Sequence, residues 1–173
     1  AQSGEKVLLL DCNFWNSAYT DIAHEPVENL AKFEARPALV SNLITPTAVP
    51  DLYVLPALIG KDAESFTNSI AGFFNSRGFS ALVEYLSQNY ARIIIDTPPL
   101  LPVVDSVAIL AHADLVLYFL QWNSTPAGAV ESAMRILADA NAKVEFCVAT
   151  RVKLDKTTKY GDASLSFASK AVK

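Results

Sequence analysis

The chain has 173 residues and a formal net charge of −4, from 14 basic and 18 acidic residues. A hydrophobic content of 51% with 18% charged residues suits a single domain whose sheet is covered by helices on both faces. The acidic balance offers no basic footprint for nucleic acid. No apolar run approaches the ~18 residues of a membrane span, and Ala1 to Lys6 lacks the pattern of a signal peptide.

Hydrophobic patterning predicts strands alternating with helices. Lys6 to Asp11 is the first strand, followed by a helix over Ile22 to Phe33 and a Pro-punctuated irregular stretch to Val49. Leu52 to Leu55 is a short strand bracketed by Pro50 and Pro56. Asp62 can cap a helix with a face of Phe66, Ile70, Phe73 and Phe74, ended by Gly78. Ser80 can cap the next, striped by Leu82, Val83, Leu86 and Tyr90. Arg92 to Asp96 is the third strand, and its Ile93-Ile94-Ile95 run predicts burial on both faces. Leu115 to Leu120 is the fourth strand. A helix from about Pro126 to Ala140 follows, with Thr125 as cap, and Val144 to Ala149 is the fifth strand. The expectation is an α/β fold: a mostly parallel sheet, helices on both faces, one domain over residues 1–173, and an irregular tail from about 155.

Two of these strands end in an acid. Asp11 closes Val7-Leu8-Leu9-Leu10, and Asp96 closes the isoleucine run just before Pro98-Pro99. Open α/β sheets bind ligands outside the carboxyl ends of their strands. Asp96 is therefore a candidate to hold Mg²⁺ or its water, and Asp11, at the end of a second such strand, strengthens that reading. The competing reading of each is an acid that starts a turn. Cys12 and Cys147 read as buried free thiols of a reducing compartment, and His24 and His112 are too far from them in sequence to suggest zinc. Asp105 reads as a helix cap and His112 as a helix-end cation, while Lys61 and Arg77 read as solvated charges.

The motifs carry a resemblance. Lys6 to Asn13, K-V-L-L-L-D-C-N, is similar to the second acidic strand of the deviant P-loop ATPases, where D-x-D is usual. Tyr90 to Asp105, Y-A-R-I-I-I-D-T-P-P-L-L-P-V-V-D, resembles the Walker B segment of the bacterial tyrosine kinases of capsule and exopolysaccharide synthesis. D-L-Y-V-L-P at Asp51 to Pro56 and H-A-D at His112 to Asp114 resemble further segments of that family. The resemblance runs from Glu5 to about Tyr160. It implies a P-loop NTPase-type three-layer sandwich, ATP and Mg²⁺ as cofactors, autophosphorylation on a tyrosine-rich tail, and homo-oligomeric cycling. It further implies a membrane chain-length determinant or polysaccharide export protein as partner, and a cytoplasmic place at the inner face of the membrane. Asp11 takes the role of the first carboxylate of the second acidic motif, and Asp96 the Walker B role.

The chain also departs from the pattern. The loop G-x-x-x-x-G-K-[ST] is absent from these residues, and the one Gly-Lys pair, Gly60-Lys61, is followed by Asp62. Asn13 stands where the second carboxylate belongs, keeping a ligand oxygen without the charge. Phe14-Trp15-Asn16 replaces an apolar-Arg-Arg run. Thr150 stands where an Asn toward the adenine is usual, and Arg151, just after the fifth strand, can meet a phosphate or an acid. Tyr160 is the one tyrosine of the tail. Three readings follow: a kinase-like regulatory domain with a degenerate nucleotide site, an active tyrosine kinase whose P-loop lies outside this sequence, and a partition- or septum-type ATPase. The opening resembles the end of the helix that follows a P-loop, so a sequence starting inside the fold and a natural form without the loop both remain open.

Overall fold

A computed structural model describes residues 1, 4–14, 19, 37–57, 70–101 and 106–152. The chain divides into two compact units, Ala1–Ala113 and Asp114–Lys173. In the first, strands β1 (Val7–Asp11), β2 (Thr45–Pro46), β3 (Leu52–Leu55) and β4 (Arg92–Asp96) form one sheet in the order β2-β3-β1-β4. Both β3 and β4 run parallel to β1, and only β2 is antiparallel, against β3. Helices α1 (Ile70–Phe74), α2 (Arg77–Asn89) and α3 (Ser106–Ile109) belong to this unit, with 3-10 turns at Pro37–Leu43 and Leu110–His112. The expected strands lie where the apolar runs place them. Thr45–Pro46 falls in the stretch read as irregular, where two residues carry too little pattern to be seen.

Period-two alternation decides which face each strand buries. Leu8, Leu10, Cys12 and Leu55 enter the core, joined by the half-buried Ile93 and Ile95. Helix α2 meets them with Phe79, Leu82 and Leu86, a stripe at helical spacing. Phe14, Phe73, Phe74 and Phe79 interlock, with Phe74 and Phe79 centroids 5.1 Å apart in an edge-on arrangement. His112 stands edge-on to Phe79 at 5.1 Å, so its ring packs on the core while it closes its 3-10 turn.

Several local expectations are corrected. The cap of α2 is Ser76, whose Oγ accepts from the Phe79 N–H at 3.0 Å, and not Ser80. Gly78 is buried in the first turn of α2 and terminates nothing. Its missing side chain suits a helix start pressed against the core. Ile94, on the face that Asp96 shares, is 54% exposed against the expected burial on both faces. A run of three β-branched residues reports strand propensity, and burial of each face is decided by what packs on it. Cys147 is exposed on β6, whereas Cys12 is buried as expected.

In the second unit, β5 (Val116–Gln121) and β6 (Val144–Thr150) pair in parallel across α4 (Ala127–Asp139). Helix α4 buries Ala133 and Leu137. Its N-cap is Pro126, with no side-chain cap bond, because the Thr125 hydroxyl instead accepts from the Gln121 N–H at 2.9 Å. The helix expected over Ile22 to Phe33, the Asp62 cap, Phe66, Lys61, Asp105, Trp15 and the tail from about 155 lie outside the described residues.

The aromatic cluster predicts the most sensitive core position. Phe79→Ala is expected to lower unfolding free energy by roughly 3–5 kcal/mol, measured by guanidinium denaturation followed by circular dichroism. A loss below about 1 kcal/mol would place the core elsewhere.

Candidate functional site

The pairing of β1 with β4 puts Leu8 beside Ile93, Leu10 beside Ile95 and Asp11 beside Asp96. Adjacent strands lie about 4.8 Å apart, and residues in register point to one face. The two acids therefore stand side by side at the carboxyl ends of neighbouring parallel strands, on the sheet face opposite Leu8 and Leu10. The Cys12 N–H donates to the Asp96 carbonyl at 2.8 Å, which extends the ladder one step past both acids and holds their backbones together.

Their surroundings differ. Asp11 is 2% exposed, and its Oδ1 accepts the Asn13 N–H at 2.9 Å. Asp96 is half-buried. Burial first, and then the Asp11 charge, raise its pKa above the ordinary value, while a hydrogen bond from the Thr97 backbone opposes the rise. Burial, followed by the charges of Asp11 and Asp96, also pushes the Cys12 thiol upward, so it stays protonated at neutral pH and is no nucleophile. The Tyr19 hydroxyl is raised as well, by burial and then by Asp96 and Asp11. Tyr19 thus lies within electrostatic range of both acids. Sequence reading missed it because it follows β1 by eight positions in a stretch without periodicity.

Asn13 supplies the fourth polar group. Its side-chain Oδ1 is buried with no hydrogen-bond partner among the described residues. An orphaned buried acceptor is costly, and beside two carboxylates it suits a cation. Two carboxylates and an amide oxygen form the hard, all-oxygen set that Mg²⁺ accepts. No third His, Cys, Asp or Glu joins them into a larger cluster among the described residues.

Thr150 and Arg151 sit together in the second unit, at the carboxyl end of β6. The Thr150 Oγ1 donates to the Leu120 carbonyl at 3.1 Å, and its own carbonyl accepts the Trp122 N–H at 3.0 Å. Its hydroxyl proton is thereby spent on stitching β6 to β5. Arg151 is exposed and has a left-handed backbone, φ 56°. The structure thus groups Asp11, Asn13 and Asp96 in one unit and Thr150 with Arg151 in the other.

The family model described as an AAA domain matches residues 1–145. The tyrosine-protein kinase CpsD of Streptococcus agalactiae is 28% identical over 164 residues, covering 94% of this chain and 69% of that protein. The succinoglycan biosynthesis transport protein ExoP of Rhizobium meliloti is 25% identical over 171 residues, covering 94% of this chain but 20% of that protein. Among solved structures, the VpsO kinase domain superposes with a TM-score of 0.72 at 22% identity, covering 87% of this chain and 72% of that one. At that identity the superposition speaks for the fold alone.

The electrostatics give a signed prediction. A carboxyl raised in the folded state binds its proton more tightly there than in the unfolded chain. The associated stability is present below the ordinary value of 3.8 and is lost as pH rises through the raised folded value. Asp96→Asn removes that loss. In chelator, its melting temperature is expected to exceed that of the unsubstituted chain at pH 7, with the gap closing toward pH ~3. Equal melting curves across the range would show that Asp96 is not held above its ordinary value.

Proposed function

The chain belongs to the AAA-domain family, among the P-loop NTPases related to bacterial tyrosine kinases, and from that premise we propose that it is a kinase-like regulatory domain of capsular or exopolysaccharide synthesis and export. The observation that carries this reading is Asn13, whose neutral, orphaned oxygen stands where a second carboxylate would add charge to the site of the in-register Asp11–Asp96 pair. A bound Mg²⁺ would be held by Asp11, Asp96 and Asn13, and would neutralise charge on phosphate oxygens. The chain's own part is to present acceptor oxygens from two strand ends, with Asp11 oriented by the Asn13 N–H.

Asn13 lacks the charge of a second carboxylate and cannot act as a base. No G-x-x-x-x-G-K-[ST] stretch in these residues offers successive N–H groups to a β-phosphate. The neutral Asn13 favours a domain that acts by assembly over one that transfers phosphate by itself. The partner would be a membrane chain-length determinant or export protein, as suggested by the name of the ExoP relative and by the tyrosine-kinase relatives. No helix among the described residues is long and apolar enough to cross a membrane.

A second reading is an active tyrosine kinase whose glycine-rich loop belongs to sequence outside these residues. The retained pair of acids favours it, since a purely structural role would not require two carboxylates in register. The two readings part on one measurement. In the protein with whatever coding sequence lies upstream of Ala1, the regulatory domain is expected to give no phosphotyrosine after incubation with Mg-ATP. Phosphotyrosine there that Asp96→Asn abolishes would make the protein an enzyme.

A further inference from the structure

Four consecutive residues at the end of β1 divide between two environments. The alternation of the strand runs on past Asp11, so Cys12 and Phe14 join Leu8 and Leu10 in the core. Asn13 falls between them on the side of Asp11, whose Oδ1 accepts the Asn13 N–H at 2.9 Å. The two core neighbours are held by different means. The Cys12 N–H donates to the Asp96 carbonyl at 2.8 Å. The Phe14 ring is tilted on Phe74 at 5.7 Å and edge-on to Phe73 at 6.4 Å, and both of those rings meet Phe79. Asn13 is thus suspended between two fixed points. Its buried amide oxygen has no hydrogen bond among the described residues, so its place is set by its chain neighbours.

Placement of this kind decides which cation a set of oxygens prefers. Mg²⁺ demands a near-ideal octahedron with oxygens at about 2.0–2.1 Å and keeps several waters. Ca²⁺ takes more oxygens, at about 2.3–2.6 Å, in a flexible arrangement. Asp11, Asp96 and Asn13 are few, and each stands at a strand end or one residue beyond a core anchor. A small, fixed set suits the smaller cation as long as the amide oxygen cannot follow a longer bond.

Resting on the reading that Asp11, Asp96 and Asn13 hold the metal, we propose that Phe14 is the positioning residue of this site. Its ring, wedged among Phe73 and Phe74, fixes the Asn13 oxygen and thereby sets a preference for Mg²⁺ over Ca²⁺. Phe14 acts through Asn13 alone. Removing the ring frees the amide to move, which costs the cation that needs exact placement more than the one that tolerates a loose one.

Titration calorimetry with Mg²⁺ and Ca²⁺ in turn, without nucleotide, on the protein with whatever coding sequence lies upstream of Ala1, is expected to show tighter binding of Mg²⁺. Phe14→Ala is expected to weaken Mg²⁺ by roughly 10–100-fold, the range for losing a group that orients a ligand, and Ca²⁺ by less. A mere loss of folded protein would lower both affinities by one factor. Adding Phe14→Ala to Asn13→Ala is expected to cost no more Mg²⁺ affinity than Asn13→Ala alone, because the two act as one unit. Leu86→Ala, in the same core but about two turns along α2 from Phe79, is expected to keep the preference. Should Phe14→Ala misfold by circular dichroism, Phe14→Leu, which keeps apolar bulk without the ring, takes its place in each comparison. An unchanged Mg²⁺-to-Ca²⁺ ratio in the folded Phe14 variant, or additive losses in the double variant, would overturn the anchor and leave the metal site standing. An unsubstituted protein that binds neither cation would overturn both.

Discussion

The in-register parallel pairing of β1 with β4 is the constraint on which the rest depends. Shifting either strand by one residue would carry Leu8, Leu10, Ile93 or Ile95 away from the core and turn its acid to the opposite face. The apolar residues that fill the core therefore also place Asp11 and Asp96 together. Core packing and site geometry are two readings of one register, so the site is as rigid as the sheet beneath it.

Packing on the Leu8–Leu10 face helps hold that register. Helix α2 lays Phe79, Leu82 and Leu86 across the sheet, and Phe14 reaches the same cluster from just beyond Asn13. The segment that carries the candidate ligand oxygen is thus anchored three atoms of chain away from the aromatic core. Burial of this kind excludes water from the strand ends, which strengthens each electrostatic interaction there. It also explains why Asp96 is driven toward its neutral form and why Asn13 in place of a second acid is tolerable. A third carboxylate at this point would add repulsion that only a bound cation could offset.

The two ends of β4 play different parts. Asp96 looks into the site, while Arg92 lies near the start of the strand against Glu5. Between them the isoleucines serve two surfaces at once: Ile93 and Ile95 pack inward, and Ile94 meets solvent.

Much of this was legible in the residues. Apolar runs ending in an acid located β1 and β4, and the stripe of α2 was readable at helical spacing, because strand and helix periodicities are local and dictated by side-chain direction. The kinship of Tyr90 to Asp105 was equally local, a motif whose order is its meaning. The caps were less legible, since Ser76 and Ser80 are both able acceptors and only the approach of the Phe79 amide selects one. Three things belonged to tertiary structure alone. The side-by-side placement of Asp11 and Asp96 needs a register between strands separated by eighty residues of chain. The nearness of Tyr19 to the two acids is a matter of placement in space that no local pattern encodes. The exposure of Ile94 needs the packing on its sheet face, because a residue's own chemistry states its preference for burial but not whether a neighbour arrives to cover it.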